Sequence, residues 1–229
     1  MKQYILGFLH LLFPYYCVHC DHQLYGFENV LCESCSAMLP RTEFNFKSGN
    51  PVERIFWGRV QLEMASSFLT FSKKGIVQKL MFELKYNGEI QVGRKLGMLF
   101  AQDILRLEAP PRFDIILPVP LHRIKLRKRG FNQCEAIAEG MSNTLGIPYS
   151  SDNLLRTVNN PTQTSRNRMD RWDNVDSIFK IAEADTLEGK HILLVDDVVT
   201  TGATLESACL ALLSIPDIRI SIVTLAFPE

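Results

Sequence analysis

The residues best suited to chemistry lie together in residues 191–205, the string HILLVDDVVTTGATL. Two adjacent carboxylates, Asp196 and Asp197, close an apolar run. Two valines later comes a tract of hydroxyls and glycine, Thr200-Thr201-Gly202-Ala203-Thr204. Ionised carboxylates only accept hydrogen bonds and are hard oxygen ligands, so the pair suits sugar hydroxyls or Mg²⁺. A turn of glycine and hydroxyl residues that opens a helix gathers a phosphate through backbone N–H groups and the helix dipole. The stretch therefore points to one ligand carrying a ribose and a phosphate. The plainer alternative is a helix N-terminus capped by Thr200 or Thr201. That alternative leaves two consecutive acids unexplained.

The elements that must position these groups are legible around them. Residues 192–195 read as a buried parallel strand, a near-continuous hydrophobic run, and an amphipathic helix follows the turn. Residues 113–120 form a second short buried strand, ending Pro118-Val119-Pro120. Next comes the most basic segment of the chain, HRIKLRKRGFNQ at 122–133, with Arg123, Lys125, Arg127, Lys128 and Arg129. It sits at the C-terminal end of a strand, where open α/β sheets bind ligands. That position favours an anion, pyrophosphate being the natural candidate for Pro118, Val119, Pro120, Arg123, Arg127 and Arg129. The competing readings are a solvated face or a nucleic-acid patch.

Upstream, residues 60–71 are extended. A helical period starts after Gly75, with Ile76, Leu80 and Leu84 in register beside Val77 and Met81, and closes at Leu84-Lys85-Tyr86-Asn87-Gly88. A second helix turns Val92, Leu96, Leu99 and Phe100 inward. Another carries Cys134, Ile137, Ala138, Met141 and Leu145. Residues 219–227 are a last buried strand. Residues 150–180 form a long polar connection with Arg156, Arg166, Arg168 and Arg171. A loop of that length within a compact domain is usually functional. An ordinary exposed loop is the other reading.

Four of the six cysteines are grouped as Cys17-Val-His-Cys20 and Cys32-Glu-Ser-Cys35. Paired C-x-x-C knuckles fit tetrahedral thiolate coordination of Zn²⁺. Residues 25–29 form the tip of a small hairpin between them. A closed four-cysteine site is structural, since it keeps no open position for catalysis. Two disulfides are the rival, disfavoured in a chain without a convincing export signal. Cys134 and Cys209 fall on apolar helix faces and read as core thiols.

The 229 residues suffice for one medium domain and a small appendage. With 46% hydrophobic residues a normal core is affordable, and with 25 cationic and 25 anionic side chains global charge says nothing about nucleic acid. Residues 1–16 resemble a secretory signal only superficially: His10 interrupts the apolar run, Pro14 ends it, and no small-residue cleavage site follows. A short amphipathic helix is the plainer reading, and a cytoplasmic location follows. No apolar run reaches membrane-spanning length. The turn Ser48-Gly49-Asn50-Pro51 places a boundary near 50. Residues 1–50 are then the N-terminal helix and zinc module, and residues 51–229 the larger domain. The sequence lacks a P-loop and a G-x-G-x-x-G following a strand, which disfavours P-loop ATP hydrolysis and a dinucleotide site.

As a string, residues 191–205 resemble the signature for phosphoribosyl pyrophosphate (PRPP) of type I phosphoribosyltransferases. Further motifs occur in order: the four-cysteine module, Leu84-Lys85-Tyr86-Asn87-Gly88, Pro118-Val119-Pro120, Arg129-Gly130-Phe131-Asn132-Gln133, Arg156-Thr157, Gln163-Thr164, Arg168, Arg171, Asn174-Val175 and Phe179. This combination resembles the ComF family of bacterial competence and GntX-like proteins over nearly the whole chain.

The resemblance implies an α/β fold, a mainly parallel sheet flanked by helices, with a small N-terminal zinc module. It implies that Asp196 and Asp197 hold the ribose hydroxyls and that Val198, Thr200, Thr201, Gly202, Ala203 and Thr204 complete the PRPP site around the 5′-phosphate. Arg168 and Arg171 would close over the site from the loop, and Mg²⁺ would accompany PRPP. The implied activity is transfer of a pentosyl group to an acceptor that the sequence does not encode, in a setting of DNA uptake. The alternative is a non-catalytic module that keeps the pocket and engages single-stranded DNA or a competence helicase.

Overall fold

The computed structural model describes residues 14–25, 28–157 and 178–229. In chain order the helices are α1 (Glu33–Ala37), α2 (Pro51–Phe56), α3 (Ile76–Tyr86), α4 (Ile90–Leu105), α5 (Arg123–Arg129), α6 (Gln133–Leu145) and α7 (Ala203–Leu212). The strands are β1 (Met64–Phe71), β2 (Ile115–Pro118), β3 (Leu154–Arg156), β4 (Phe179–Ile181), β5 (His191–Val198) and β6 (Arg219–Pro228). Four strands form one parallel sheet in the order β1-β6-β5-β2. β3 and β4 pair separately and antiparallel, flanking the long connection. The fold is α/β, a parallel sheet between helices, as the hydrophobic runs imply.

Strand alternation sends successive side chains to opposite faces, and the sheet consequently separates two cores. On one face Leu193 and Val195 of β5 join Val223 and Leu225 of β6 against α3, α4 and α6. On the other, Ile192 and Leu194 join Ile220 and Ile222 against α2 and α7. Cys17, Leu24, Val30, Leu31, Cys32 and Cys35 of the N-terminal four-cysteine module belong to the first core. Residues 40–42 run along β1, with Thr42 N donating to Phe68 O at 3.0 Å and Thr70 N to Pro40 O at 2.8 Å. They cover the outer edge of the sheet, which would otherwise offer unpaired backbone groups.

Helices α4 and α6 approach backbone to backbone. A Cβ added at Gly97 would lie 2.2 Å from the Ile137 carbonyl oxygen, and one at Gly140 would lie 2.1 Å from that of Arg94. Arg94 Nε and Glu139 Oε2 close the same contact at 2.8 Å. This packing fixes α6, whose first residues face the acids of β5.

Candidate active site

Asp196 and Asp197 stand at the C-terminal end of β5, a central strand, as expected for a ligand site in an open α/β sheet. Different elements hold them. Asp197 is buried, and its Oδ2 receives Lys85 Nζ at 2.7 Å and Gln133 Nε2 at 2.9 Å. Asp196 Oδ1 accepts the Asp197 backbone N–H at 2.8 Å and lies 3.3 Å from the Cys134 Sγ. Each carboxylate thus has one oxygen engaged by the protein. Among the described residues no hydrogen bond reaches Asp197 Oδ1 or Asp196 Oδ2. Burial, then the charge of Asp197, pushes Asp196 up to about 7.

The surrounding motifs acquire definite jobs. In residues 84–88, Leu84 enters the core, Lys85 reaches Asp197, and Asn87 caps α3 before Gly88 turns with φ of 74°. In residues 129–133, Arg129 Nη1 donates to Gln133 Oε1, which orients the Gln133 amide toward Asp197. Asn132 caps α6 through the Cys134 N–H at 3.1 Å and donates to the Val119 carbonyl at 3.1 Å, tying α6 to the end of β2. Lys85, Gln133 and Cys134 were not among the expected site residues. Cys134 is buried as a core thiol would be, but it faces an acid. Burial and both aspartates push its thiol well above the ordinary range.

The turn does not follow the plainer capping alternative. Gly202, not Thr200 or Thr201, is the N-cap of α7, with φ of 74°. Its Cβ position would meet Ile55 Cγ2 at 2.6 Å, so only glycine fits. Ala203 N donates to Thr201 Oγ1 at 3.4 Å, while the N–H groups of Thr204 and Leu205 precede the first intrahelical partners. They are available to an anion. Arg59 braces the turn. It donates to the Thr201 and Ile55 carbonyls at 2.8 and 3.0 Å and pairs with Glu206 of α7. Val198 is half-buried and packs against the first core.

Pro118 and Val119 are buried at the end of β2, and Val119 N donates to Val195 O at 2.8 Å. Pro120 follows, half-buried. The basic segment forms α5, on which Arg123 and Arg127 are exposed and Arg129 turns into the acid network. Arg156 lies over the Phe179 ring at 5.6 Å. Burial draws its guanidinium down, and the charge of Asp196 acts the other way. Arg168 and Arg171 lie outside the described residues, as do Arg166, the helix expected over most of residues 1–16, and the hairpin tip at 26–27.

The Sγ atoms of Cys17, Cys20, Cys32 and Cys35 all lie within 4.8 Å of one another, and no disulfide joins them. The donor set fits a zinc module. Burial raises Cys17, yet backbone N–H groups of Cys20, Cys32 and His19 outweigh it and bring the thiol down to about 7. Burial and the neighbouring sulfurs push Cys35 up. Thiols crowded in this way ionise together only beside a cation. The knuckle is fastened to α3, since Lys79 Nζ donates to the His19 carbonyl at 2.9 Å. A cavity of about 740 Å³ beside this module, lined by Tyr25, Arg41, Lys95, Gln102 and Arg106 among others, involves none of the residues around the acids.

A parallel sheet with paired acids and a glycine turn at a strand end defines a phosphoribosyltransferase-type domain, and residues 132–228 match the family model described as phosphoribosyl transferase domain. Competence protein F of Haemophilus influenzae is 24% identical over 221 residues, 91% of this chain and 96% of that protein. DNA utilization protein YhgH of Salmonella typhi is 30% identical over 55% of this chain and 56% of its own. Competence protein ComFC of Bacillus subtilis is 27% identical over 62% of this chain and 56% of its own. The chain carries a phosphoribosyltransferase-like domain and is similar to these competence and DNA utilization proteins. Among the described residues no helix is long and apolar enough to cross a membrane.

Proposed function

We propose that the chain binds PRPP and transfers or releases its phosphoribosyl group, in the handling of DNA that its relatives' names, competence protein and DNA utilization protein, describe. The observation that carries this reading is the division of the two acids. Each has one oxygen held by the protein and one without a partner among the described residues, beside a glycine turn braced for an anion. The two remaining oxygens suit the two ribose hydroxyls, and the turn suits the 5′-phosphate.

The reaction is a displacement at ribose C1. The C1–oxygen bond to pyrophosphate breaks, pyrophosphate leaves with the electron pair, and the acceptor's lone pair forms the new bond. Positive charge develops on the sugar, which the acids at its hydroxyls favour. Arg129, with Arg123 and Arg127 on α5, receives the leaving group, for which the guanidinium fork is suited. Arg168 and Arg171 are proposed to cover the site. Mg²⁺ held with PRPP would supply neutralisation of the pyrophosphate oxygens. Cys17, Cys20, Cys32 and Cys35 would hold Zn²⁺ as a structural ion.

The exposed cations of α5 favour one second reading, a pocket-bearing module that engages single-stranded DNA. Release of pyrophosphate from PRPP, with Mg²⁺ and a panel of acceptors, separates the two readings. Turnover abolished by Asp197→Asn supports the transferase. DNA binding that falls steeply with salt, without pyrophosphate release, supports the module.

A further inference from the structure

We propose that Lys85 is a positioning residue of the donor site, which acts through Asp197 to set recognition of the ribose hydroxyls. The inference rests on the PRPP reading above. It begins from a contact between distant parts of the chain: Lys85, on the last turn of α3, places Nζ 2.7 Å from Asp197 Oδ2. The contact is no solvent-exposed pairing of the kind that contributes little, since the two side chains retain 24% and 10% of their accessible surface.

The choice of oxygen gives the contact its consequence. Lys85 and Gln133 converge on the same atom, Oδ2, so the carboxylate is pinned on one side and Oδ1 is left for a ligand. Gln133 is held in turn by Arg129. Without Lys85, only the neutral Gln133 amide orients a buried carboxylate that adjoins a second acid. The plane of the carboxyl group is then no longer fixed, and a hydroxyl that needs Oδ1 loses a preorganised acceptor.

α3 is built to deliver this lysine. Leu80, Met81 and Leu84 bury its inner face, and Lys79 fastens its first half to the cysteine knuckle. The Asn87 cap, whose side chain donates to Glu83 at 2.7 Å, and the left-handed Gly88 end it just past Lys85. The helix therefore has little freedom to slide, and Lys85 arrives at Asp197 from a fixed direction.

Lys85 should then matter for ligands that carry ribose hydroxyls and not for ligands that carry phosphate alone. Calorimetric titration of the full chain with Mg²⁺–PRPP, ribose 5-phosphate and inorganic pyrophosphate tests this. Lys85→Met is expected to weaken PRPP and ribose 5-phosphate by about tenfold or more, the cost of losing a charge-assisted hydrogen bond, with pyrophosphate affinity unchanged and a cooperative melt retained. Lys85→Arg is expected to restore most of the loss. Should Lys85→Met fail to fold, Lys85→Gln measured against Lys85→Arg carries the same comparison. Unaltered PRPP affinity in Lys85→Met, or an equal loss for pyrophosphate, overturns the assignment while leaving PRPP as the ligand. A wild-type chain that binds neither ribose ligand overturns the PRPP reading itself, and the assignment with it.

Discussion

Arg59 Nη1 donates to the Thr201 carbonyl at 2.8 Å, and the same guanidinium pairs with Glu206 one turn into α7. One side chain thus joins the turn before the helix to the helix itself. Its own position is set by α2, where Asn50 accepts from the Val52 and Glu53 N–H groups and donates to the Ala65 carbonyl at 2.7 Å. Arg59→Met should therefore loosen the turn. Affinity for ribose 5-phosphate should fall about fivefold, the order of one net hydrogen bond, with the affinity for pyrophosphate retained.

The contact between α4 and α6 carries a stability prediction. No side chain fits at Gly97 or Gly140, because a Cβ would overlap the facing backbone carbonyl. Gly97→Ala or Gly140→Ala must push the helices apart and with them the α6 residues that face the acids. Each should cost about 3 kcal/mol, the upper part of the range for overpacking, measured by urea denaturation. An alanine variant as stable as the parent would contradict backbone-to-backbone packing.

The cysteine cluster shares a core with α3 and α4. Atomic absorption should find about one zinc per chain, the stoichiometry of a closed four-thiolate site. Chelation, or Cys17→Ser, should lower the thermal midpoint, because metal binding and folding share one free energy. A chain that purifies without metal and melts unchanged in chelator would contradict the assignment.

Asp196 gives a pH dependence with a definite sign. Its folded value is pushed up to about 7 from an ordinary 3.8, by burial and by the charge of Asp197. Between those values the folded chain binds a proton that the unfolded chain has lost. The stability it contributes is fully present below the ordinary value and is lost as pH rises through about 7. A ligand whose hydroxyl needs an ionised Asp196 should bind more tightly as pH rises through the same value. Asp196→Asn should flatten both profiles, which pH-resolved melts and titrations will read. A wild-type chain whose stability holds level across that range would contradict the raised value.

Much of this arrangement was legible in the residues alone. The apolar run, the two acids and the glycine turn are local and contiguous, so strand, site and helix could be placed from their order. The helices Ile76–Tyr86 and Ile90–Leu105 announced themselves by period. What escaped was long-range side-chain contact, which leaves no periodic trace. Lys85 and Gln133 stand in recognised motifs but without a task, and Arg59 stands in no motif at all. α5 was seen as charge rather than as a helix, because a seven-residue helix with no buried residue has no apolar stripe to reveal it. Thr200 and Thr201 offer capping as the plainer alternative because their hydroxyls favour that role. Gly202 took the position because the chain needs a left-handed residue with no room for a Cβ.

The central claim is that the acids of β5 and the turn after them form a PRPP site. Calorimetric titration of the full chain with PRPP in Mg²⁺, beside Asp197→Asn, tests it most directly. The account predicts saturable binding to the wild type, weakened about tenfold or more by loss of a charged acceptor, with both proteins melting alike. Absence of binding to a folded wild-type chain, or equal binding by Asp197→Asn, would contradict it.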